Sequence, residues 1–552
     1  MKKLILLTLV LSLVFAFPAA AEQSPEEIIE DYTYGGTVTI GETGTPEGMF
    51  NPLFAETVYD SQIWTQIFEG LTRTDENLEP EPALAEDWDI SEDHLTKTFY
   101  LDEEAEFHDG EPVTAYDVKF TLETFVHPDY DGIRASEFLD IKGAQDFHDG
   151  EADEVAGLEV IDEHTIEIEM EEVYAPFMAS SATYGIVPEH ILGEYEVAEF
   201  SDLDFNYENP VGSGPFEFVE FVEDEYVHLS ANEDYREGRP YVDDVIIEYV
   251  DDQALIMMLE RGEIDYAPIQ DEHFHRLDEV EELTLHDSIT TGFNYLGFNL
   301  EKDTPLQERE VRYAIAHGFN RADFIDEAMY GLASVFDTPV PQGTWAFTEE
   351  GLETYEYDPE KARDILEEAG WSLNEEGVYE KDGEPLEFTL AASADSAMID
   401  QMMALLQDNL SDVGMDVEIE RREFPTLIDE MDAGELEAWY MGFVHGADPD
   451  PYPQFHSEGG FNDFHYENER VDELLEKGRR TLDVEERSEI YEEFQQIWNE
   501  DLPVVPTHAD IEVFAVSERL RGINPDPGVV DPLEDGYLYR EMWIPERYRE
   551  QQ

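Results

Sequence analysis

The sequence predicts an α/β fold, because strand-like and helix-like runs alternate along the chain with no internal repeat or low-complexity linker. The 552 residues are enough for two to four domain-sized units with substantial cores. Hydrophobic residues make up 41% of the chain and aromatic residues 12%, so the apolar content excludes intrinsic disorder. These three observations predict layers of helices packed on strands.

The first strand, turn and helix signals lie before residue 124. The run TVTIGETGTP after Gly36 reads as a strand followed by a loop, and Thr98–Leu101 reads as a second strand. Asp109-Gly110 is a strong turn pair. Thr114 is expected to cap a helix, with Asp117 three residues later in a near capping-box arrangement.

Three later helices have clear start and stop signals. Asp358-Pro359 opens the first, and Asp483 is the expected N-cap of the second. Gly414 ends the third, before a strand. Their apolar stripes are expected to face the core: Ala362, Ile365, Leu366 and Ala369; Ile490, Phe494, Ile497 and Trp498; and Leu405, Leu406, Leu410 and Val413.

The N-terminus has the pattern of a secretory signal. Two lysines precede the apolar run Leu4–Phe17, and Ala19-Ala20-Ala21 is a small-residue cleavage site. The apolar run is shorter than the roughly 20 residues that span a bilayer, so we expect cleavage after Ala21 rather than anchoring. The chain has no cysteine, which excludes a lipoprotein anchor, disulfides, zinc-thiolate sites and thiol catalysis. A periplasmic protein is therefore predicted.

The chain is extremely acidic. It has 136 Asp and Glu against 30 Lys and Arg, which gives a formal charge of -106. The acids are spread along the whole chain, and this distribution favours a solvated surface adapted to high salt, where screening limits self-repulsion. We therefore predict a halophilic source. No basic stripe is present to displace counterions from phosphates, which excludes nucleic-acid binding.

Several segments together resemble the extracytoplasmic solute-binding proteins of family 5, the peptide/nickel-type receptors of ABC importers. In chain order, the segments that carry the resemblance are Phe50-Asn51-Pro52-Leu53, Ile67 to Glu123, Gly212-Ser213-Gly214-Pro215-Phe216, Tyr295-Leu296-Gly297-Phe298-Asn299, Val311 to Gly331, Val340-Pro341-Gln342-Gly343, Asp448-Pro449-Asp450-Pro451 and Asn468 to Ile497. They cover most of the mature chain in the order of the family.

The resemblance implies two α/β lobes that face each other across a cleft, are linked by a hinge, and carry an extra α/β domain. Mapped onto this chain, residues 1–21 are the signal peptide and 22–35 a lead-in. Residues 36–71, 211–291 and 507–552 form lobe 1, residues 72–210 the inserted domain, and residues 292–506 lobe 2. The implied function is a monomeric receptor that captures oligopeptides and delivers them to an inner-membrane permease with separate ATPase subunits. No enzyme activity, cofactor or metal is predicted.

The resemblance also indicates where ligand contacts fall on lobe 2. In receptors for short peptides, an Asp three residues before the Asp-Pro pair neutralises the ligand's ammonium group. Here that count reaches His445 or Ala447, and Gly442 stands where such receptors have an arginine. Two alternatives remain: Asp448 binds the ammonium from a shifted register, or the ligand's terminus is not recognised by charge. The similarity to members with an Ala-Asp-Pro-Asp motif favours the second.

The candidate ligand-binding residues are therefore drawn from both sides of the expected cleft. Asp448 has a turn-forming role as its alternative, and each aromatic residue has core burial as its alternative. The complete set is Tyr59, Asp60, Trp345, Trp439, Tyr440, Phe443, His445 and Asp448.

Other functions have weaker support in the sequence. Trp345, Trp439 and Tyr440 keep an oligosaccharide ligand open, and His445 keeps a nickel or haem ligand open. A secreted hydrolase is disfavoured, because His273-Phe274-His275 lacks the spacing of a zinc protease, and Gly212-Ser213-Gly214 lacks that of a nucleophile elbow.

Overall fold

The computed structural model describes residues 34–75, 78–394, 396–523 and 539–549. The predicted signal peptide and most of the predicted lead-in lie outside these residues. Within them, every helix is too short or too polar to cross a membrane.

The elements before residue 290 alternate between strands and mostly short helices. They are β1 (Thr37–Glu42), α1 (Val58–Ile67), β2 (Thr72–Thr74), β3 (Pro80–Pro82), β4 (Ala85–Ile90), β5 (Thr96–Leu101), α2 (Ala115–Phe125), α3 (Ala144–His148), β6 (Leu158–Asp162), β7 (Thr165–Glu169), α4 (Glu189–Leu192), β8 (Phe216–Val222), β9 (Tyr226–Ala231), β10 (Asp244–Tyr249), α5 (Asp252–Arg261), β11 (Tyr266–Ile269), α6 (Phe274–Leu277) and β12 (Leu283–Ile289).

The elements after residue 290 include the longest helices. They are β13 (Gly292–Phe298), α7 (Arg309–Gly318), α8 (Arg321–Ala328), β14 (Ala333–Ser334), α9 (Pro359–Glu368), β15 (Ser372–Leu373), β16 (Tyr379–Lys381), β17 (Glu384–Pro385), β18 (Glu387–Ser393), α10 (Ala397–Val413), β19 (Asp416–Arg422), α11 (Phe424–Asp432), β20 (Ala438–Val444), α12 (Tyr452–Phe455), α13 (Glu469–Arg479), α14 (Val484–Asp501), β21 (Val505–Ser517) and α15 (Glu546–Arg549).

The main sheet joins the two lobes. Its strand order is β8-β9-β10-β1-β11-β21-β13-β20-β18-β19, with β12 and β14 also paired to β21. The first five strands belong to one lobe, and β13, β20, β18 and β19 belong to the other. The long strand β21 pairs with β13 through residues 505–508 and with β12 through residues 511–517, so one strand runs through both lobes. A smaller antiparallel sheet, β4-β5-β7-β6, lies in the segment between α1 and β8.

The hydrophobic core is divided in the same way. Two buried clusters draw their members from residues 293–509. The other two draw theirs from residues 38–277 and 513–544, and the larger of these includes the β4-β5-β7-β6 sheet. The two-lobed α/β fold is thus confirmed, whereas the residue boundaries assigned to its domains stay a prediction.

The local signals in the sequence correspond to real element ends. The Asp358 carboxylate accepts the backbone N–H groups of Glu360 and Lys361 at 3.1 and 2.9 Å, and Pro359 is the first residue of α9. The Asp483 carboxylate accepts the N–H of Glu486 at 2.9 Å and caps α14. Gly414 follows α10 with a φ of +110°, a conformation that glycine adopts without a Cβ penalty.

The Gly-Ser-Gly turn before β8 packs directly against the end of α1. The Gly214 N–H donates to the Ile67 carbonyl at 2.7 Å. A Cβ on Gly212 would lie 2.0 Å from the carbonyl oxygen of Ile67, and one on Gly214 would lie 2.5 Å from that of Gln66. Glycine is therefore required by the close approach of two backbones, which explains this motif without a catalytic serine.

We expect the Gly212→Ala substitution to lower the free energy of unfolding by about 1–3 kcal/mol, because its methyl group cannot fit without moving the end of α1. Urea unfolding at constant salt measures the change. Gly460→Ala is the matched control, since a Cβ there meets no atom within 4 Å. Equal stability of the two variants would contradict this account of the turn.

Candidate functional site

A cavity of about 470 Å³ lies between the two lobes. One wall comes from α1 and the segment that follows it, residues 64–74, together with residues 174–184 from the segment that carries the smaller sheet. The opposite wall comes from residues 444–450, at and directly after the end of β20, and from Arg479 at the end of α13. The cavity is thus an interlobe cleft of a size that suits a bound small ligand, typically about 300–1,000 Å³.

The lobe 1 side of the cleft is strongly aromatic. Trp64, Phe68, Tyr174, Tyr184 and Tyr235 line it. The rings of Trp64 and Tyr184 stack at 6.3 Å with an interplanar angle of 19°. Burial raises the pKa of Tyr174 to about 12, so its hydroxyl stays neutral at ordinary pH. These rings offer apolar area and neutral hydroxyl groups to a ligand.

Three buried polar atoms of the lining have no hydrogen-bond partner among the described residues. They are Trp64 Nε1, His445 Nε2 and Gln454 Oε1, on side chains that are only 8%, 5% and 6% exposed. An unsatisfied buried polar group costs about 1–3 kcal/mol. A ligand that accepts from the indole N–H and donates to the amide oxygen would remove this cost.

His445 is a neutral group in this cleft. Burial lowers its pKa to about 4, although Asp450 opposes the shift. Its ring stacks on Phe293 at 6.1 Å, and its carbonyl accepts the Thr291 hydroxyl at 2.6 Å. The strand end after β20 therefore fixes the imidazole at the cleft wall without a positive charge.

The two carboxylates of the Asp-Pro-Asp-Pro turn are bound within lobe 2. Arg487 on α14 reaches both oxygens of Asp448, at 2.5 and 2.7 Å. Arg479 binds Asp450 at 2.7 Å, and the Tyr491 hydroxyl donates to the other oxygen of Asp450 at 3.3 Å. Burial raises the pKa of Asp448, and Arg487 opposes that shift. A ligand ammonium that contacts Asp448 would therefore share the carboxylate with the Arg487 guanidinium.

Of the eight predicted ligand-binding residues, His445 and Asp448 line this cavity. Trp439, Tyr440 and Phe443 lie on β20 away from the lining. Trp439 is 1% exposed and stacks on Phe464 at 6.0 Å, and Tyr440 is 5% exposed. Phe443 stacks on Tyr295 at 4.9 Å. Their side chains fill the core of lobe 2, as the core-burial alternative predicted for single aromatic residues.

The other aromatic residue predicted for lobe 2, Trp345, also lies outside the lining. Its ring stacks on Tyr491 at 5.9 Å, and the Arg487 guanidinium lies 5.0 Å from its centroid. Since Arg487 binds Asp448, Trp345 supports the cleft from behind rather than facing it.

Tyr59 and Asp60 likewise lie away from the lining. The Asp60 carboxylate is fully buried and accepts the N–H groups of Gly48 and Met49 at 2.9 and 2.8 Å. It therefore orders the loop before α1. Tyr59 is half-buried and packs its ring against Gly44, where a Cβ would lie 1.9 Å away.

Sequence reasoning missed most of the lobe 1 wall and the arginines behind the lobe 2 wall. Trp64, Tyr174, Tyr184, Tyr235 and Gln454 have no local signal, because they come together only through long-range packing. Arg479-Arg480 is a weak hint, because it is one of two Arg-Arg pairs in a chain with few basic residues.

One group of side chains in the described part of the chain has the geometry to hold a metal ion. The candidate ligand atoms of Asp252, Glu272 and His273 lie within 4.8 Å of one another. His273 Nε2 lies 2.6 Å from an Asp252 oxygen, and His275 is not part of the group. This group does not line the cleft, and the expectation that the protein binds no metal stays a prediction.

Comparison with known proteins gives a consistent result. Residues 79–463 match the family described as bacterial extracellular solute-binding proteins, family 5 Middle. The chain is 28% identical to the oligopeptide-binding protein AppA of Bacillus subtilis over 518 residues, covering 92% of each protein. It is 30% identical to a putative ABC transporter peptide-binding protein of Brucella ovis over 432 residues, covering 76% of this chain and 75% of that protein.

Two solved structures agree in fold. AppA from Bacillus subtilis in complex with a nonapeptide superposes with a TM-score of 0.75 at 26% identity, covering 93% of this chain and all of that one. NikZ from Campylobacter jejuni in complex with Ni(L-His) gives a TM-score of 0.73 at 26% identity, covering 90% of this chain and 99% of that one. With a family match over most of its length and a two-lobed cleft fold, the chain belongs to the bacterial extracellular solute-binding proteins of family 5.

Proposed function

We propose that this protein is the substrate-binding receptor of an ABC importer and that its ligands are oligopeptides. The observation that carries the proposal is the set of buried, unpaired polar atoms in the interlobe cleft: Trp64 Nε1, His445 Nε2 and Gln454 Oε1. A peptide backbone alternates carbonyl acceptors and N–H donors, and so it can satisfy the donor and the acceptors together. The peptide-binding proteins among the relatives add support.

The alternative ligands have less support from the cleft. The three aromatic residues on which an oligosaccharide ligand depended, Trp345, Trp439 and Tyr440, lie outside the lining. The hypothesis of a nickel or haem ligand depended on His445, and no second histidine is among the described lining residues. A peptide also suits the wall of aromatic rings, which offers apolar area to side chains of many shapes.

The sequence and the family support a proposal for the receptor's processing, location and transporter partners. We propose that the signal peptide is removed after Ala21, that the mature protein works in the periplasm as a monomer without a lipid anchor, and that it delivers its ligand to an inner-membrane permease with separate ATPase subunits. The domain boundaries proposed above would place the cleft between lobe 2 and the lobe that carries the inserted domain.

The proposal is tested by native mass spectrometry of the exported protein, followed by release and fragmentation of its ligand. Masses that resolve into peptides would support the proposal, and hexose-spaced masses would overturn it in favour of an oligosaccharide receptor. The same spectrum gives the mass of the mature chain, which checks cleavage after Ala21.

We expect Trp64→Phe to weaken peptide affinity by about two- to tenfold, because it removes one buried hydrogen-bond donor and keeps an aromatic ring. Calorimetric titration with the released peptides measures the change. Trp498→Phe is the matched control, since Trp498 Nε1 is also buried and unpaired but lies in the core of lobe 2. Equal affinities of wild type and the Trp64 variant would contradict a role for the indole N–H.

We expect peptide affinity to stay constant between pH 7 and about pH 5.5. The pKa of His445 is lowered to about 4, so the imidazole stays neutral across this window, whereas an ordinary histidine becomes protonated near pH 6.5. Peptides without histidine, aspartate or glutamate remove titration of the ligand from the measurement. A change in affinity centred near pH 6.5 that His445→Gln abolishes would show that His445 is charged there.

The acidic surface is proposed to be an adaptation to salt. With a net charge of -106, self-repulsion opposes the compact state and is screened as ionic strength rises. We therefore expect the melting temperature to increase with KCl concentration, and NaCl at equal ionic strength to act similarly. A melting temperature that is flat or falling with salt would contradict this adaptation.

A further inference from the structure

The charged groups of the cleft are compensated within the protein. Four carboxylates line the cavity, and each forms an ion pair with an arginine. The pairs are Glu69 with Arg236 at 2.8 Å, Glu137 with Arg134 at 3.3 Å, Asp448 with Arg487 at 2.5 Å, and Asp450 with Arg479 at 2.7 Å. Every carboxylate among the described lining residues therefore already has a cationic partner.

The lining arginines are compensated as well. Arg479 binds Asp450, and Arg73 binds Glu81 at 2.6 Å and Glu237 at 3.1 Å. Arg540 also pairs with Glu237. The cleft thus offers no uncompensated formal charge among its described residues, although the chain as a whole carries a net charge of -106.

Of the four pairs, Asp448 with Arg487 and Glu69 with Arg236 are the most deeply buried. Side-chain exposure is 9% for Asp448 and 4% for Arg487, and it is 8% for Glu69 and 5% for Arg236. Arg236 contacts both oxygens of Glu69, as Arg487 does for Asp448. Each of these two carboxylates is already neutralised by a bidentate guanidinium, so its attraction for a ligand ammonium is weakened.

We propose that the receptor recognises the peptide main chain through neutral groups and does not recognise the charge of its amino terminus, so that it also takes peptides with a blocked amino terminus. This inference rests on the proposed oligopeptide function and adds a ligand class to it. The neutral groups are Trp64, His445 and Gln454, which line the same cavity and each carry a buried polar atom without a hydrogen-bond partner among the described residues. In strong salt such contacts keep their strength, whereas a charge anchor open to solvent would be screened.

The experiment offers the purified receptor one library of uncharged peptides in two forms. Both forms are amidated at the carboxyl terminus, and they differ in a free or an acetylated amino terminus. Native mass spectrometry of the equimolar mixture counts the bound species, at low and at high KCl. We expect the two forms to bind within about threefold of each other at both salt concentrations. If an unpaired carboxylate held the ammonium, acetylation would cost about a hundredfold or more.

The outcomes distinguish this inference from the oligopeptide function on which it rests. Preference for the free amino terminus by about a hundredfold would overturn this inference and leave the oligopeptide function standing. Binding of neither form would overturn the oligopeptide function, and this inference with it.

Asp448→Asn gives a second check: the ratio of the two bound forms should be unchanged, because Asp448 binds Arg487 rather than the ligand. Loss of binding of the free form alone would show that Asp448 holds the ammonium.

Discussion

The hydrogen bonds of β21 join the strands of the two lobes into one main sheet. This strand, Val505–Ser517, pairs with β13 at its start and with β11 and β12 at its end, so a single extended segment belongs to both halves of the main sheet. Between the residues of β21 that pair with β13 and those that pair with β12, the Asp510 carboxylate accepts a hydrogen bond from the Asn294 amide at 2.9 Å. Because each lobe builds its own core on its part of the sheet, β21 sets where the two cleft walls stand.

Each wall of the cleft is held in place by packing within its own lobe. On the lobe 1 side, the Gly-Ser-Gly turn packs on the end of α1 and holds the helix that carries Trp64. On the lobe 2 side, Arg487 projects from α14, lies over the Trp345 ring and fixes Asp448 in the turn after β20. Preorganised walls lower the entropy that a ligand must lose on binding.

The distribution of basic residues is the clearest physical pattern in the molecule. Only 30 of 552 residues are Lys or Arg, yet arginines pair with each carboxylate of the cleft. A surface carboxylate is solvated by water and salt and needs no partner. A carboxylate that is buried in the cleft does need one, because its desolvation is otherwise uncompensated. The unpaired acids of the surface are therefore stabilised by water and salt, whereas the acids of the cleft are stabilised by arginines.

Local patterns in the sequence predict the features that neighbouring residues encode. Helix starts at Asp358 and Asp483, the stop at Gly414 and the α/β class depend on contacts within a few residues, and family membership depends on the order of short segments. Long-range packing selects the side chains that line the cleft. Glu69 and Arg236 are 167 positions apart, and β20 turns Trp439 into the core while the strand end presents His445 to the cavity. Such choices depend on how distant elements pack, and no local pattern carries that information.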